Sequence, residues 1–178
     1  MGMKSYWDYI KKYRSLKEYH NIDSAIKHKD DVVSIDAANQ QLTKLPRQLF
    51  NLHNVISTNI LGNRFTTFPI VITKLSQLEE ISFASNDMRY VGPEIGKLKN
   101  LKILILDFNS FSKLPVQIGE LSNLLYLDVS MNKNLKSLPS SIANLKQLQE
   151  LHIERTSINK RDINLIKALL PNCVVITD

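Results

Sequence analysis

A single cysteine, Cys173, stands in 178 residues, so no disulfide can close within the chain and the small, disulfide-stapled secreted class is excluded. The expectation for that thiol is a buried, inert side chain near the C-terminus. Four histidines are scattered without the spacing that a metal centre needs, and none of the five glycines belongs to a phosphate-binding loop. No stretch reaches the roughly 18 consecutive apolar residues of a membrane-spanning helix. The first ten residues carry Asp8 and several aromatics in place of the apolar run of an export signal. These absences predict a cytoplasmic chain that needs no cofactor or metal and does not engage a membrane. Export by a signal-independent route stays open.

What is present is apolar and periodic. With 43% hydrophobic residues and 22% charged ones, the chain has the composition of one globular domain. Its formal charge of +6 would point to nucleic acid only if the basic residues were clustered on one face. Shifting the sequence against itself by 23 residues brings leucine-type residues, Asn and Pro into columns. In the unit opening at Leu101, the pattern runs through Leu104, Leu106, Asn109, Phe111, Leu114, Pro115, Ile118 and Leu121. Further units open at Val32, Val55, Leu78, Leu124 and Leu148, the fifth with one extra residue around Lys133 to Leu135.

These columns resemble the leucine-rich-repeat proteins of the 23-residue LxxLPxxIxxLxxL subtype, over about Val32 to Lys160. The segment Ile22 to Ile26 leading into Val32 to Asp36, with Gln40 and Leu42 beyond, is similar to the N-terminal cap of many bacterial members, and Leu169-Leu170-Pro171-Asn172-Cys173 to their C-terminal cap. The resemblance implies an α/β fold: a solenoid with a short parallel β-sheet on its concave side and short helical or 3-10 segments on its convex side. It also implies a bacterial source.

The columns follow from physics as well. Alternation at the fourth and sixth positions makes a short strand with one face inward, and stacked units pair these strands in parallel. The ninth position lies where the chain leaves the strand, so buried backbone groups there need side-chain partners. An amide can both donate and accept, which predicts a ladder of Asn63, Asn86, Asn109 and Asn132, with Gln40 and Thr156 as end substitutes. Proline at the fifteenth position fixes φ before the return segment. Gly92 replaces it in the third unit, where a locally different turn is expected.

A solenoid exposes its core at both ends unless it is capped. Residues 1–31 are expected to form a helical N-terminal cap: Tyr6, Tyr9, Ile10, Tyr13, Leu16 and Tyr19 make one amphipathic stripe, and a second short helix starts at Asp23 as N-cap and runs to about Lys29. Six repeats occupy 32–160. Residues 161–178 form a C-terminal cap, with a helix over Asp162 to Leu170, stopped by Pro171, and a last strand at Val174 to Ile176.

The third, fifth, seventh and eighth positions face away from the core on the sheet side. From these columns the expected partner-binding surface is Glu80, Ile103, Ile105, Asp107, Phe108, Tyr126, Asp128, Met131, Glu150, His152 and Glu154. Ile103, Ile105, Phe108, Tyr126 and Met131 would form one apolar patch. The carboxylates Asp36, Glu80, Asp107, Asp128, Glu150 and Glu154 face one basic residue, Arg155, although the chain as a whole is basic. That segregation disfavours nucleic acid in the concavity and suits a protein partner with basic and apolar contacts. Asp128, Ser130 and His152 fall on neighbouring strands but lack an oxyanion hole, so no catalytic site is expected and His152 with Asp128 reads as a surface pair. The favoured function is a non-enzymatic, monomeric protein-interaction module. The alternative is a structural or self-assembling component that makes its contacts through caps and edges.

Overall fold

The structure, a computed structural model, describes residues 18–178. Its strands are β1 (Glu18–Tyr19), β2 (Ser34–Asp36), β3 (Ser57–Asn59), β4 (Glu80–Ser82), β5 (Ile103–Ile105), β6 (Tyr126–Asp128), β7 (Glu150–His152) and β8 (Val174–Ile176). They form one parallel sheet in sequence order. Ser34 pairs with Ser57, Ser57 with Glu80, Glu80 with Ile103 and Ile103 with Tyr126, so the repeat length of the sequence is the register of the sheet. From β6 to β7 the step lengthens by one residue, Tyr126 to Glu150, and the strands remain aligned. The extra residue is absorbed after Asn132, where the Leu135 N–H donates to the Asn132 carbonyl at 2.9 Å.

Each return segment is a 3-10 turn: Arg47–Asn51, Ile70–Lys74, Pro93–Lys97, Val116–Glu120 and Ser140–Asn144. The residue before each turn is extended, with φ −68° at Pro46, −77° at Pro69, −70° at Pro115 and −66° at Pro139. Gly92 adopts φ −78°, so the third turn starts as the others do and the expected local difference is not found. Proline presets that conformation; glycine adopts it here ahead of Pro93. The first, fourth, sixth, eleventh and eighteenth positions converge between sheet and turns in one continuous core, with Phe65, Phe83 and Phe111 among its largest fully buried side chains. The Phe65 and Phe83 rings meet edge to face at 5.4 Å, a favoured aromatic geometry.

Amide side chains tie one unit to the next. The Asn109 Nδ2 donates to the carbonyls of Leu106 and Asp107 in its own unit and to Phe83 in the preceding one, at 2.9–3.1 Å. Its Oδ1 accepts the Met88 N–H at 2.9 Å. Asn86 repeats this with Phe65, and Asn63 with Leu42. Asn132 donates in the same way to Leu106, Val129 and Ser130, but its Oδ1 accepts nothing. At the two ends, Gln40 Nε2 donates to the His20 carbonyl and Thr156 Oγ1 donates to the Ile153 carbonyl.

The caps differ in detail from the sequence reading. The stripe from Tyr6 to Leu16 lies outside the described residues. Tyr19, placed at its end, belongs to β1 and not to a helix, because its backbone pairs with Ile35 and its side chain is buried. Helix α1 (Ile22–Lys27) is capped by Asn21, whose Oδ1 accepts the Ser24 N–H at 2.7 Å, and not by Asp23, which sits inside the first turn. Helix α2 (Lys160–Leu169) begins two residues before Asp162 because Asn159 caps it, accepting the Asp162 N–H at 3.0 Å. Among the described residues, no helix is long and apolar enough to cross a membrane.

Candidate protein-interaction face

The strands place every third, fifth and seventh side chain of a unit on the concave side. The fifth-position residues are held first by their own backbones. Asp36 accepts the Ala38 N–H, Asn59 the Leu61 N–H and Asp128 the Ser130 N–H, at 2.9–3.2 Å, each a local turn closed by a short polar side chain. Asp36 Oδ1 also accepts from Asn59 Nδ2 at 3.0 Å. Asp128 thus stays at a fixed place on the face, and its second oxygen lies 3.5 Å from the Tyr126 hydroxyl.

Beyond Asp128 lies a polar cluster. Asp128 is in register with His152, but the imidazole contacts its own strand's carboxylates: Nδ1 is 3.2 Å from Glu154 and Nε2 is 3.5 Å from Glu150. The expected His152 and Asp128 pair is therefore a register pair, with no ion pair between the two among the described contacts. Neither His152 nor Asp128 reaches the Ser130 hydroxyl, so the three side chains do not assemble a nucleophilic array. The Tyr126 ring packs on the His152 ring at 5.1 Å. On β5, Asp107 is half-buried, and its Oδ1, like the Glu154 Oε2, has no hydrogen-bond partner. Burial foremost, and then repulsion from Asp128, raises the Asp107 carboxyl to about 6. Farther along, Glu80 accepts the Ser57 hydroxyl at 2.9 Å, and burial raises its carboxyl above the ordinary range.

The apolar part of the face departs most from the sequence reading. Phe108 is exposed at 52%, and Ile105 and Met131 are half-buried. Ile103 and Tyr126 are buried, at 0% and 7% exposure, in a small second cluster with Ile56 and Ile105. The column pattern gives the direction of a side chain but not what covers it. Phe108 and Met131 also lie in the left-handed region, with φ 50° and 58°. The whole eighth column shares it: Asn39, Gly62, Ser85, Phe108, Met131 and Arg155 all have φ between 50° and 67°. Only Gly62 and Asn39 are residues that signal this conformation in a sequence.

Two further features escaped the sequence reading. Asn54, Asn100 and Asn123 form a second amide column at the strand entrances, each donating to the carbonyl 24 residues earlier at 2.8–3.1 Å. The signal was a recurrent Asn at the last position of the unit. Glu18, His20 and Asp36 bring one ligand atom each within 4.8 Å of one another, although 16 residues separate His20 from Asp36 in the sequence. Glu18 and His20 are solvent-exposed, and one Asp36 oxygen is already committed to Ala38 and Asn59. At the far edge Cys173 is half-buried, and its thiol is pushed up to about 11 by burial and by nearby Glu150.

Residues 86–170 match a family model described as a leucine-rich repeat region. Among curated proteins, the adenylate cyclase of Schizosaccharomyces pombe is 37% identical over 68 residues, which cover 38% of this chain and 4% of the cyclase. Among solved structures, the plant peptide hormone receptor RGFR1 in complex with RGF2 aligns with a TM-score of 0.67 at 24% identity, over 92% of this chain and 26% of the receptor. A leucine-rich-repeat protein of Leptospira interrogans aligns with a TM-score of 0.41 at 21% identity, over 88% of this chain and 57% of that one. The chain thus spans only a small part of the cyclase and of the receptor. The stacked parallel strands and the match over residues 86–170 agree, and the fold of the chain is that of a leucine-rich-repeat solenoid.

Proposed function

We propose that the chain is a non-enzymatic protein-interaction module whose concave face receives a partner presenting basic and apolar side chains. One observation carries this reading. In six units the third, fifth and seventh columns hold Asp36, Glu80, Asp107, Asp128, Glu150 and Glu154 and no lysine or arginine, in a chain of net charge +6. Such segregation attracts cations and repels phosphate. The part-exposed carboxylates of Asp107, Asp128 and Glu154 would receive an incoming guanidinium or ammonium. Phe108 supplies exposed apolar area beside them, and Ile105 is the half-buried floor.

The test is affinity capture with the wild-type chain and a folded Ile105→Asp/Phe108→Ala variant, at two salt concentrations. Proteins held by the wild type, released by salt and lost from the variant support the reading. The same proteins on both baits overturn it and leave the caps and edges as contact surfaces, an arrangement that light scattering would show as self-association.

A further inference from the structure

Acid is not the only charge that the repeat sorts. The eleventh and fourteenth positions point inward, with Phe65, Met88 and Phe111 buried in one column and Phe68, Val91 and Leu114 in the other. The tenth, twelfth and thirteenth therefore point outward, on the flank where the chain runs from the concave face to the 3-10 turns. Neighbouring segments of this flank lie side by side: the Arg64 N–H donates to the Leu42 carbonyl, the Arg89 N–H to that of Thr66 and the Phe68 N–H to that of Tyr90, at 2.8–3.2 Å. Over five units these three columns hold Lys44, Arg64, Arg89, Lys113, Lys133 and Lys136 against one acid, Asp87, all of them exposed. Among the described residues none of the six is ion-paired, whereas Lys99 and Lys102, on the strand-entry side of the units, meet Glu120 and Glu79 at 2.7 and 2.9 Å.

In the middle of the basic flank lies an apolar depression. Tyr90 is 50% exposed, and Ile70 and Val116, each the first residue of its turn, are 55% and 61% exposed. Pro93 is exposed between them, and Tyr90, Pro93, Pro115 and Val116 line one shallow groove. Here the proline column breaks at Gly92. A side chain at Gly92 would press on the Glu94 carboxylate and bring its Cβ to 3.4 Å from the Tyr90 ring. The absent proline ring leaves the space over which Tyr90 lies and into which the groove opens.

We propose that this flank is a second binding surface, which takes an acidic segment of a partner protein with apolar side chains seated against Tyr90, Pro93 and Val116. Two properties choose this occupant. Cations in rows attract an anionic chain, and contiguous exposed apolar area calls for apolar side chains. A nucleic acid satisfies only the first. It would stack its bases on several aromatic side chains, and the groove offers aliphatic and proline surface around a single ring. From Lys44 to Lys136 is four unit steps, about 19 Å at 4.8 Å each, which about six extended residues cover. The flank and the concave face carry opposite charge and share no residue, so this site is independent of the role of the concave face.

The experiment is fluorescence anisotropy of a labelled peptide of about twelve residues, glutamate interspersed with leucine and phenylalanine, titrated with the full chain at low and at high salt. Oligoglutamate of equal charge and oligouridylate are the comparison probes. Arg89→Glu/Lys113→Glu reverses charge on the flank, and Lys97→Glu/Lys146→Glu reverses the same charge at exposed positions elsewhere. Tyr90→Ser and Gly92→Pro alter the groove without changing charge. The expected result is saturable, salt-sensitive binding of the mixed peptide, weakened about tenfold by the flank pair and about threefold by each groove variant. The control pair and the concave Ile105→Asp/Phe108→Ala variant keep it, which separates this site from the concave one. Should Gly92→Pro fail to fold by circular dichroism, Tyr90→Ser carries the comparison. Absence of saturable binding overturns the proposal, as does equal weakening by the flank and control pairs, the signature of net charge alone. Oligoglutamate bound as tightly as the mixed peptide overturns the apolar contact. Oligouridylate bound more tightly than either peptide overturns the protein partner in favour of nucleic acid.

Discussion

Thr58 occupies the fourth position of its unit, where the others place Ile35, Ile81, Leu104, Leu127 and Leu151. It is 1% exposed and its Oγ1 has no partner. A buried hydroxyl without a hydrogen bond costs roughly 1–3 kcal/mol, so Thr58→Val should raise stability by about 1 kcal/mol. The check is a higher urea midpoint with an unchanged slope. Asp107 offers a second test at this scale. Its carboxyl is raised from 3.8 to about 6, so folding favours its protonated form. The stability tied to that proton is fully present below pH 3.8 and is lost as pH rises through about 6. Asp107→Asn, which removes the charge, should be more stable than wild type at pH 7, with the difference closing as pH falls toward 4, as read from thermal midpoints across that range.

Between residues and the whole stand the amide ladder and the stacked 3-10 turns. Removing Asn109 strands the Met88 N–H that its Oδ1 accepts and the carbonyls of Phe83, Leu106 and Asp107 that its Nδ2 serves. Asn109→Ala should therefore cost about 3 kcal/mol. Asn132→Ala should cost less, because the Asn132 Oδ1 holds no donor; parallel urea titrations of the two variants compare them. The turns approach one another as closely: a Cβ at Gly119 would meet the Ser141 backbone carbonyl and its Cβ. Gly119→Ala is expected to lose about 1–3 kcal/mol through overpacking.

This scale also marks how far the sequence could be read. The strands, their register and the Asn63, Asn86 and Asn109 columns were legible because each recurs at a fixed interval and each answers one physical need. The caps were legible only as elements. Asn21 and Asn159 took the N-cap roles because they stand at the true helix starts, whereas Asp23 was chosen as a cap for its residue type and the second helix was started at Asp162, two residues late. The direction of the concave side chains was legible from alternation. Their cover was not, as Ile103 and Tyr126 show, since periodicity says nothing about what lies above a face. Nor was the left-handed eighth column legible, because Phe108 and Met131 adopt it without being residues that favour it.

As a whole, the molecule is a one-dimensional stack in which each unit touches its neighbours, and its stability is close to a sum over units and junctions. The C-terminal end is closed by α2 and β8, with Ile166 and Leu170 buried at 4% exposure each. Ile166→Ala should therefore loosen that end without dissolving the middle. Hydrogen exchange should quicken in β7 and β8 and stay slow in β3 to β5; uniform acceleration would mean that the stack opens as one unit.

The extra residue of the fifth unit has a consequence for how such a surface can change. It enters beside Asn132, outside the strands, and Tyr126 still faces Glu150. The sheet behaves as a ruled page whose lines stay level while the margin varies in width. Insertions and deletions can therefore collect in the loops and turns while each letter of the concave face is rewritten in place, so descendants of this chain could differ in length and still be compared column by column.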